Sequence, residues 1–341
     1  MINQTAIVIL NWNGKKFLEQ FLPTVIKHSL GANVIVADND STDDSVSYLK
    51  DKFPDIRIIQ NDSNGGFAKG YNDALEHVDA EFYLLLNSDI EVTENWLAPL
   101  LDIMKDKSVA ACQPKVKSFA TRDEFEHAGA SGGFLDINYF PFCRGRMFNT
   151  VEMDNGQYDH ATEIFWATGA CLLIRSKLFH AAGGFDEDFF AHMEEIDLCW
   201  RLKRANHKIF AVPQSVVYHI GGGTLPYSSP RKTYLNFRNS LFMITKNHQG
   251  ILLFRLMWRG VIDGIAAMSF LFKGEFSQFG AVFKSHMAYY GKIGKFLRKR
   301  KELKKWQTEF NDAGHFKGNI LWNYYAKGAS VFSKLNKRLF K

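Results

Sequence analysis

Residues 82–86, Phe-Tyr-Leu-Leu-Leu, form an unbroken apolar run that passes straight into Asn87-Ser88-Asp89 with no glycine or proline between. A run apolar at every position suits a strand covered on both faces, as in a parallel sheet. A carboxylate at its carboxyl end then stands at the rim of the sheet, where open α/β folds hold their ligands. Residues 6–10, 34–37 and 109–112 are apolar in the same way, and 56–59 read similarly with Arg57 the one interruption. Between the first two, residues 15–27 place Phe17, Leu18, Phe21, Leu22, Val25 and Ile26 at helical spacing, and 43–50, 67–77 and 95–105 fill the later gaps. This alternation predicts right-handed crossovers and an α/β, doubly wound, mostly parallel sheet with helices on both faces.

Polar residues collect where these runs end. Asn11-Trp12-Asn13-Gly14 follows the first and Asp38-Asn39-Asp40-Ser41-Thr42-Asp43 the second. Ser41, Thr42 and Asp43 read equally as a turn and helix cap, but Asp38 closes an apolar run at a position a ligand reaches. In Asn64-Gly65-Gly66-Phe67-Ala68-Lys69-Gly70-Tyr71-Asn72 the glycines let backbone approach a phosphate or base closely. This stretch is neither the dinucleotide-binding glycine fingerprint nor the P-loop, so hydride transfer and ATP hydrolysis lack their usual signatures. Further on, Glu194, Glu195 and Asp197 open a helix. Acidic residues favour a helix start, yet three carboxylates in four positions exceed that need. Glu194 and Asp197 share a helix face, Glu195 projects to another, and Asp197 pairs by spacing with Arg201.

The segments 8–14, 36–43, 64–72, 84–92, 168–175, 184–186, Glu194–Arg204 and 219–222 occur in the order found in family 2 glycosyltransferases of the GT-A fold. The chain resembles that family over about its first 225 residues, and its rhamnosyltransferase-type branch most of all. The resemblance implies a Rossmann-like sheet with a nucleotide-sugar donor across the strand ends and a divalent cation, Mg²⁺ or Mn²⁺, on its diphosphate. Asp89 matches the last position of the metal-binding Asp-X-Asp motif and His219 a position that ligates the metal in some relatives. Asn87, at the first position of the motif, supplies a hydrogen bond but no charge. Asp38 matches the residue that binds the base, with Asn11, Asn64, Gly70 and Asn72 lining the same pocket. Glu194-Glu195 matches the Glu-Asp motif, so Glu195 is the expected base that deprotonates the acceptor hydroxyl in an inverting displacement, with Glu194 in reserve. Trp166, Thr168 and Gly169 match the acceptor-side loop; Trp166 either stacks on a sugar ring or packs against the core. Residues 113–164, poorer in periodic signal, read as an inserted, partly mobile acceptor region.

Charge divides the chain unevenly: residues 231–341 hold 22 Lys and Arg against 5 Asp and Glu, the rest 20 against 31. This suggests a catalytic domain over 1–230 and a basic, amphipathic C-terminal helical extension over 231–341. Arg255, Arg259 and Asp263 interrupt the apolar stretch 251–272, which argues against a spanning helix. An interfacial helix followed by the basic cluster 295–301 suits an anionic membrane surface; the alternative is packing on the catalytic domain or on a second subunit in a homo-oligomer. No nucleic-acid-reading motif accompanies the charge. The start of the chain has no signal-like segment. Cys112, Cys143, Cys171 and Cys199 show no paired spacing. Both features favour the cytoplasm, with peripheral attachment to the inner face of the cell membrane. The resulting expectation is transfer of a sugar, rhamnose among the options, from a nucleotide-diphosphate donor to a glycan or lipid-linked saccharide in surface polysaccharide or O-antigen synthesis. The alternative is a noncatalytic nucleotide-sugar-binding scaffold.

Overall fold

The computed structural model describes residues 1–127, 129–221, 229–306 and 309–341; Ala128 and Gly222, each inside a segment singled out above, lie outside them. The apolar runs form β1 (Thr5–Asn11), β2 (Asn33–Asp38), β3 (Arg57–Gln60) and β4 (Phe82–Asn87), which pair in parallel in the order β3-β2-β1-β4. Helices α1 (Lys15–His28), α2 (Ser45–Lys52) and α3 (Gly66–Leu75) make the crossovers. Side chains alternate across the strands. Ile7, Ile9, Leu84 and Leu86 share one core with Leu18, Leu22 and Val25 of α1, while Ala6, Val8 and Leu85 share the other with Ala68, Tyr71 and Ala74 of α3. The Tyr71 hydroxyl donates to the carbonyl of Leu86 at 3.1 Å, fixing α3 beneath the strand end that carries Asn87.

Beyond β4 the sheet becomes mixed. After β5 (Ile90–Val92), α4 (Leu97–Ile103) and β6 (Val109–Ser118), the chain makes four short strands, β7 (Gly133–Asp136), β8 (Pro141–Cys143), β9 (Arg146–Met147) and β10 (Thr150–Val151). It returns to the main sheet with β11 (Thr162–Glu163) and β12 (Cys171–Arg175), followed by α5 (Ser176–Ala181), α6 (Glu194–Arg204) and β13 (Lys208–His219). β12 lies antiparallel between β4 and β6, and β13 runs parallel to β6 and antiparallel to β5. The parallel expectation therefore describes β1 to β4 and the β6–β13 pair, while β12 joins those two parts in the opposite sense.

Residues 113–164 are not an irregular insertion. They extend β6 and build a second sheet, in the order β10-β9-β8-β7, whose fifth strand is β14 (His315–Phe316) from near the end of the chain. Phe134 and Phe142 of this sheet pack against Phe332 and Phe340. The C-terminal part is also not purely helical: α7 (Pro230–Asn247), α8 (Leu252–Phe272) and α9 (Phe276–Trp306) precede the return through β14. No helix among the described residues is long and apolar enough to cross a membrane.

Candidate active site

Four strand ends supply the site. At the end of β1, Asn11 donates through Nδ2 to Asp38 Oδ1 at 3.0 Å and to Ser41 Oγ at 3.2 Å. Asp38 Oδ2 accepts from the Ser41 amide at 3.0 Å. Both residues are buried, and Asn11 Oδ1 has no hydrogen-bond partner. Gly14 keeps the space beside it open, since a Cβ there would lie 2.5 Å from Asn11 Oδ1. Next to this pair, Asn39 donates to Asn64 Oδ1 and to the Gly66 carbonyl, and Asn61 donates to Asn39 Oδ1 and to the Gly70 carbonyl. A side chain at Gly70 would press on Asn39, with a Cβ 2.9 Å from its Oδ1. The glycine and the asparagines thus form one interlocked rim.

Asn72 also has a structural task. Its amide nitrogen donates to the Phe185 carbonyl and its oxygen accepts from the Phe185 amide, both at 2.9 Å. It fastens α3 to the loop before α6 while staying partly exposed in the cavity that Gly65, Lys69 and Phe185 also line. Trp166 is likewise a packing residue: it is 6% exposed and its indole nitrogen donates to the Phe134 carbonyl at 3.0 Å. The ring fills the space over Gly133, where a Cβ would meet it at 2.1 Å. Thr168 is buried and its amide donates to Gln113 Oε1 at 2.9 Å.

Asp89 follows β4 and His219 ends β13. Pairing of β5 with β13 sets His219 opposite Ile90, so that His219 Nε2 lies 3.1 Å from Asp89 Oδ1. On the other side of the ring, Nδ1 is 3.3 Å from Glu126 Oε2, a residue the sequence did not single out. Burial disfavours the charged imidazole, but hydrogen bonds to Asp89 and Glu126 outweigh it and raise its pKa to about 10. An imidazolium has no lone pair to offer, so a cation at Asp89 would have to displace this proton before His219 could ligate it. Among the described residues no three His, Cys, Asp or Glu side chains gather to hold a metal unaided. The donor set suits a divalent cation whose remaining positions are filled by a diphosphate and water, the usual habit of Mg²⁺. A carboxylate on the second nitrogen of a ligating histidine fixes the ring in the same way. Asn87, at the end of β4, has its amide bonded to the Ala170 carbonyl.

Glu194 and Glu195 begin α6. Burial raises both carboxyls; Glu194 is raised further by the charge of Glu195, and Glu195 is pushed up to about 7. One oxygen of each, Oε2, is buried without a hydrogen-bond partner. The two are not equivalent. Glu194 is buried and Glu195 only partly so; Gly169 lies beside Glu195, and a Cβ placed on it would press on the Phe67 ring at 2.9 Å and stand 3.7 Å from the Glu195 Cβ. Asp197 is fully committed: it accepts from Arg201 at 2.9 Å, Lys246 at 2.8 Å and Asn247 at 2.7 Å. Lys246 and Asn247 come from α7, beyond the segments that carry the family resemblance.

The family model for glycosyl transferase family 2 matches residues 6–181, just over half of the chain. The chain is 24% identical over 245 residues to a low-salt glycan biosynthesis hexosyltransferase of Haloferax volcanii, covering 70% of this chain and 75% of that one. It is 24% identical over 235 residues to the N-acetylglucosaminyl-diphospho-decaprenol L-rhamnosyltransferase of Mycobacterium tuberculosis, covering 64% and 76%. Among solved structures, the mannosyltransferase of Pyrobaculum calidifontis in complex with GDP-Man and Mn²⁺ superposes with a TM-score of 0.53 over 95% of this chain and 88% of its own, at 12% identity, a likeness of fold. The chain is a glycosyltransferase and belongs to glycosyl transferase family 2.

Proposed function

We propose that this enzyme transfers a sugar, with rhamnose the leading choice, from a nucleotide-diphosphate donor to a lipid-linked saccharide during surface glycan assembly, with inversion at the anomeric carbon. The observation that carries the inverting chemistry is Glu195, a half-buried carboxylate at the opening of α6 with one unpartnered oxygen and a pKa near 7. A base is most effective when its pKa lies near the working pH. The lipid-linked acceptor and the rhamnosyl donor rest on the relative whose name specifies both.

In this reading Asp38 and Asn11 hold the base of the donor, and the interlocked asparagines about Gly70 shape the floor beside it. Asp89 and His219 would hold a divalent cation against the diphosphate, with Glu126 fixing the imidazole. Once bound, that cation neutralises charge on the leaving group. Glu195 takes the proton of the acceptor hydroxyl as its oxygen attacks the anomeric carbon from the face opposite the diphosphate. One carbon–oxygen bond forms, the bond to the diphosphate oxygen breaks, and the electron pair leaves with the nucleoside diphosphate. The reaction occurs where the acceptor lipid is anchored, on the inner face of the membrane.

The test is turnover by purified protein with a panel of dTDP-, UDP- and GDP-sugars and a short-chain diphospholipid saccharide, with the product linkage read by NMR. An inverted anomer is expected. A retained anomer excludes single displacement, and no turnover with any donor returns the protein to the scaffold reading.

A further inference from the structure

Helix α8 is built inside out. Its three charged residues point inward: Arg259 and Asp263 are buried and joined at 2.7 Å, and Asp263 meets His286 of α9 at 3.1 Å. Arg255 donates to the Ile137 carbonyl at 2.9 Å and lies over the ring of Tyr139. The outward side carries Phe254, Met257, Val261, Ile265 and Phe272, each more than half exposed, and no charge, while Trp258, half exposed beside them, donates to Asn138 Oδ1 at 3.0 Å. Helix α9 continues the surface with Phe276, Phe283 and Met287. Apolar patches of this extent are normally covered.

We infer that the α8–α9 hairpin lies flat in the headgroup region of a lipid bilayer, with its apolar side immersed and its ion pairs turned toward the protein. The partner is a bilayer and not a second helix because the surface is broad. Leu253, Phe254, Met257 and Trp258 already span adjacent rows of α8, and α9 adds its own, whereas a coiled-coil seam is a narrow stripe. The exposed Lys273 and Lys284 lie on the same two-helix unit and suit anionic headgroups. The cations of the basic cluster 295–301 are divided: Arg298 and Lys301 are exposed, while the others bond to the protein. Lys295 and Lys299 are paired with Asp188, Lys299 also with Asp186, and Arg300 donates to the carbonyls of Thr245, His248 and Gly250. Attachment is therefore mainly apolar and resists salt, which screens charge but scarcely weakens inserted apolar area.

The purpose of this surface rests on the lipid-linked acceptor proposed above, but its existence does not, and vesicle binding is measured without turnover. Full-length protein should co-sediment with phosphatidylcholine vesicles containing phosphatidylglycerol and remain largely bound at about 0.5 M salt. The double variant Ile265→Glu, Phe272→Glu should lower partitioning by about tenfold or more while hydrolysis of donor in lipid-free buffer stays at the wild-type rate. Wild-type protein that ignores the vesicles, or a double variant that binds like wild type, overturns the inference. A lipid-free dimer abolished by the same variant, without vesicle binding, assigns the surface to a second copy of the chain. Vesicle binding together with failed turnover would sink the proposed reaction and leave the attachment standing.

Discussion

At the scale of single residues, Glu195 ties rate to pH and to stability. Only the deprotonated carboxylate accepts the acceptor proton, so kcat should climb with pH and level off near 7, where burial has placed its pKa. Glu195→Gln should lower kcat by roughly 10²-fold or more and remove the rising limb, with donor affinity nearly unchanged. The same burial costs stability. Because the folded-state pKa lies above the ordinary value of 4.5, the folded protein binds the proton more tightly, and stability falls as pH rises from about 4.5 to 7. Glu195→Gln should therefore melt higher than wild type at pH 8, read by calorimetry; a variant that melts lower would mean the carboxylate is stabilised by contacts the structure lacks. Asp89 separates binding from chemistry: Asp89→Asn should raise the concentration of Mn²⁺ needed for half-maximal donor binding, followed by calorimetric titration, while leaving the pH limb of Glu195 in place. In the roles proposed above, Asp89, His219 and Glu195 were visible as candidates because each ends or follows a strand or opens a helix in a matching segment. Glu126 was not, since nothing local marks it and its contact with His219 depends on how the chain passes β6. The hydrogen bonds of Trp166 and Asn72 were hidden for a related reason: they run to Phe134 and Phe185, partners far away in sequence, and for Trp166 they favour the packing alternative.

At the scale of elements, the loop before α6 ties the position of Glu195, the proposed base, to the C-terminal helices. Phe190, His192 and Met193 all have left-handed backbones, with φ of 67°, 70° and 73°. For residues other than glycine each such conformation costs of order 1 to 3 kcal/mol and persists only where its surroundings fix it. The restraint is Asn239 of α7, buried, whose Nδ2 donates to the carbonyls of Phe189 at 2.9 Å, Ala191 at 2.9 Å and His192 at 2.7 Å. Arg238 adds bonds to the carbonyls of Asp188 and Phe189. Asn239→Ala leaves those carbonyls short of a donor, a loss on the order of 2 kcal/mol. Released strain then lets Glu194 and Glu195 move. The expected signature is a kcat reduced about tenfold or more with an unchanged donor KM and a shifted pH limb; a lower melting temperature with normal kinetics would make Asn239 purely structural. Sequence patterns reveal β1 to β4 because a strand covered on both faces is apolar at every position. They miss the second sheet because β9 and β10 are two residues each, too short for any period, and its edge strand β14 arrives from the far end of the chain.

At the scale of the whole molecule, the charge imbalance that suggests an appended basic extension serves to hold the two parts together. Lys246 bridges Asp186 and Asp197 at 2.8 Å each, and Lys292, Lys295 and Lys299 converge on Asp188, so cations after residue 231 neutralise anions before it. The hydrogen bonds of Lys295 and Lys299 outweigh burial and lower the Asp188 pKa to about 2. Apolar burial follows the same division: Phe242 stacks on Phe296 and packs beside Phe189, and Phe316 and Phe340 close the second sheet. The boundary at 230 coincides with a change in charge, and these contacts cross it. Removing 231–341 would uncover the loop before α6, strip Asn239 from its carbonyls and take the paired lysines from Asp186, Asp188 and Asp197, a strongly destabilising loss. The fragment 1–230 should be insoluble or bind hydrophobic dyes, and the full chain should unfold in urea as one transition, with fluorescence and circular dichroism coinciding. Two separated transitions, or a soluble 1–230 fragment that still binds donor, would establish a self-sufficient catalytic domain and reduce α7 to α9 to an accessory. A single transition would instead mean that contacts made by the C-terminal helices, through Asn239 and Lys246, are part of what holds Glu195 in place for catalysis.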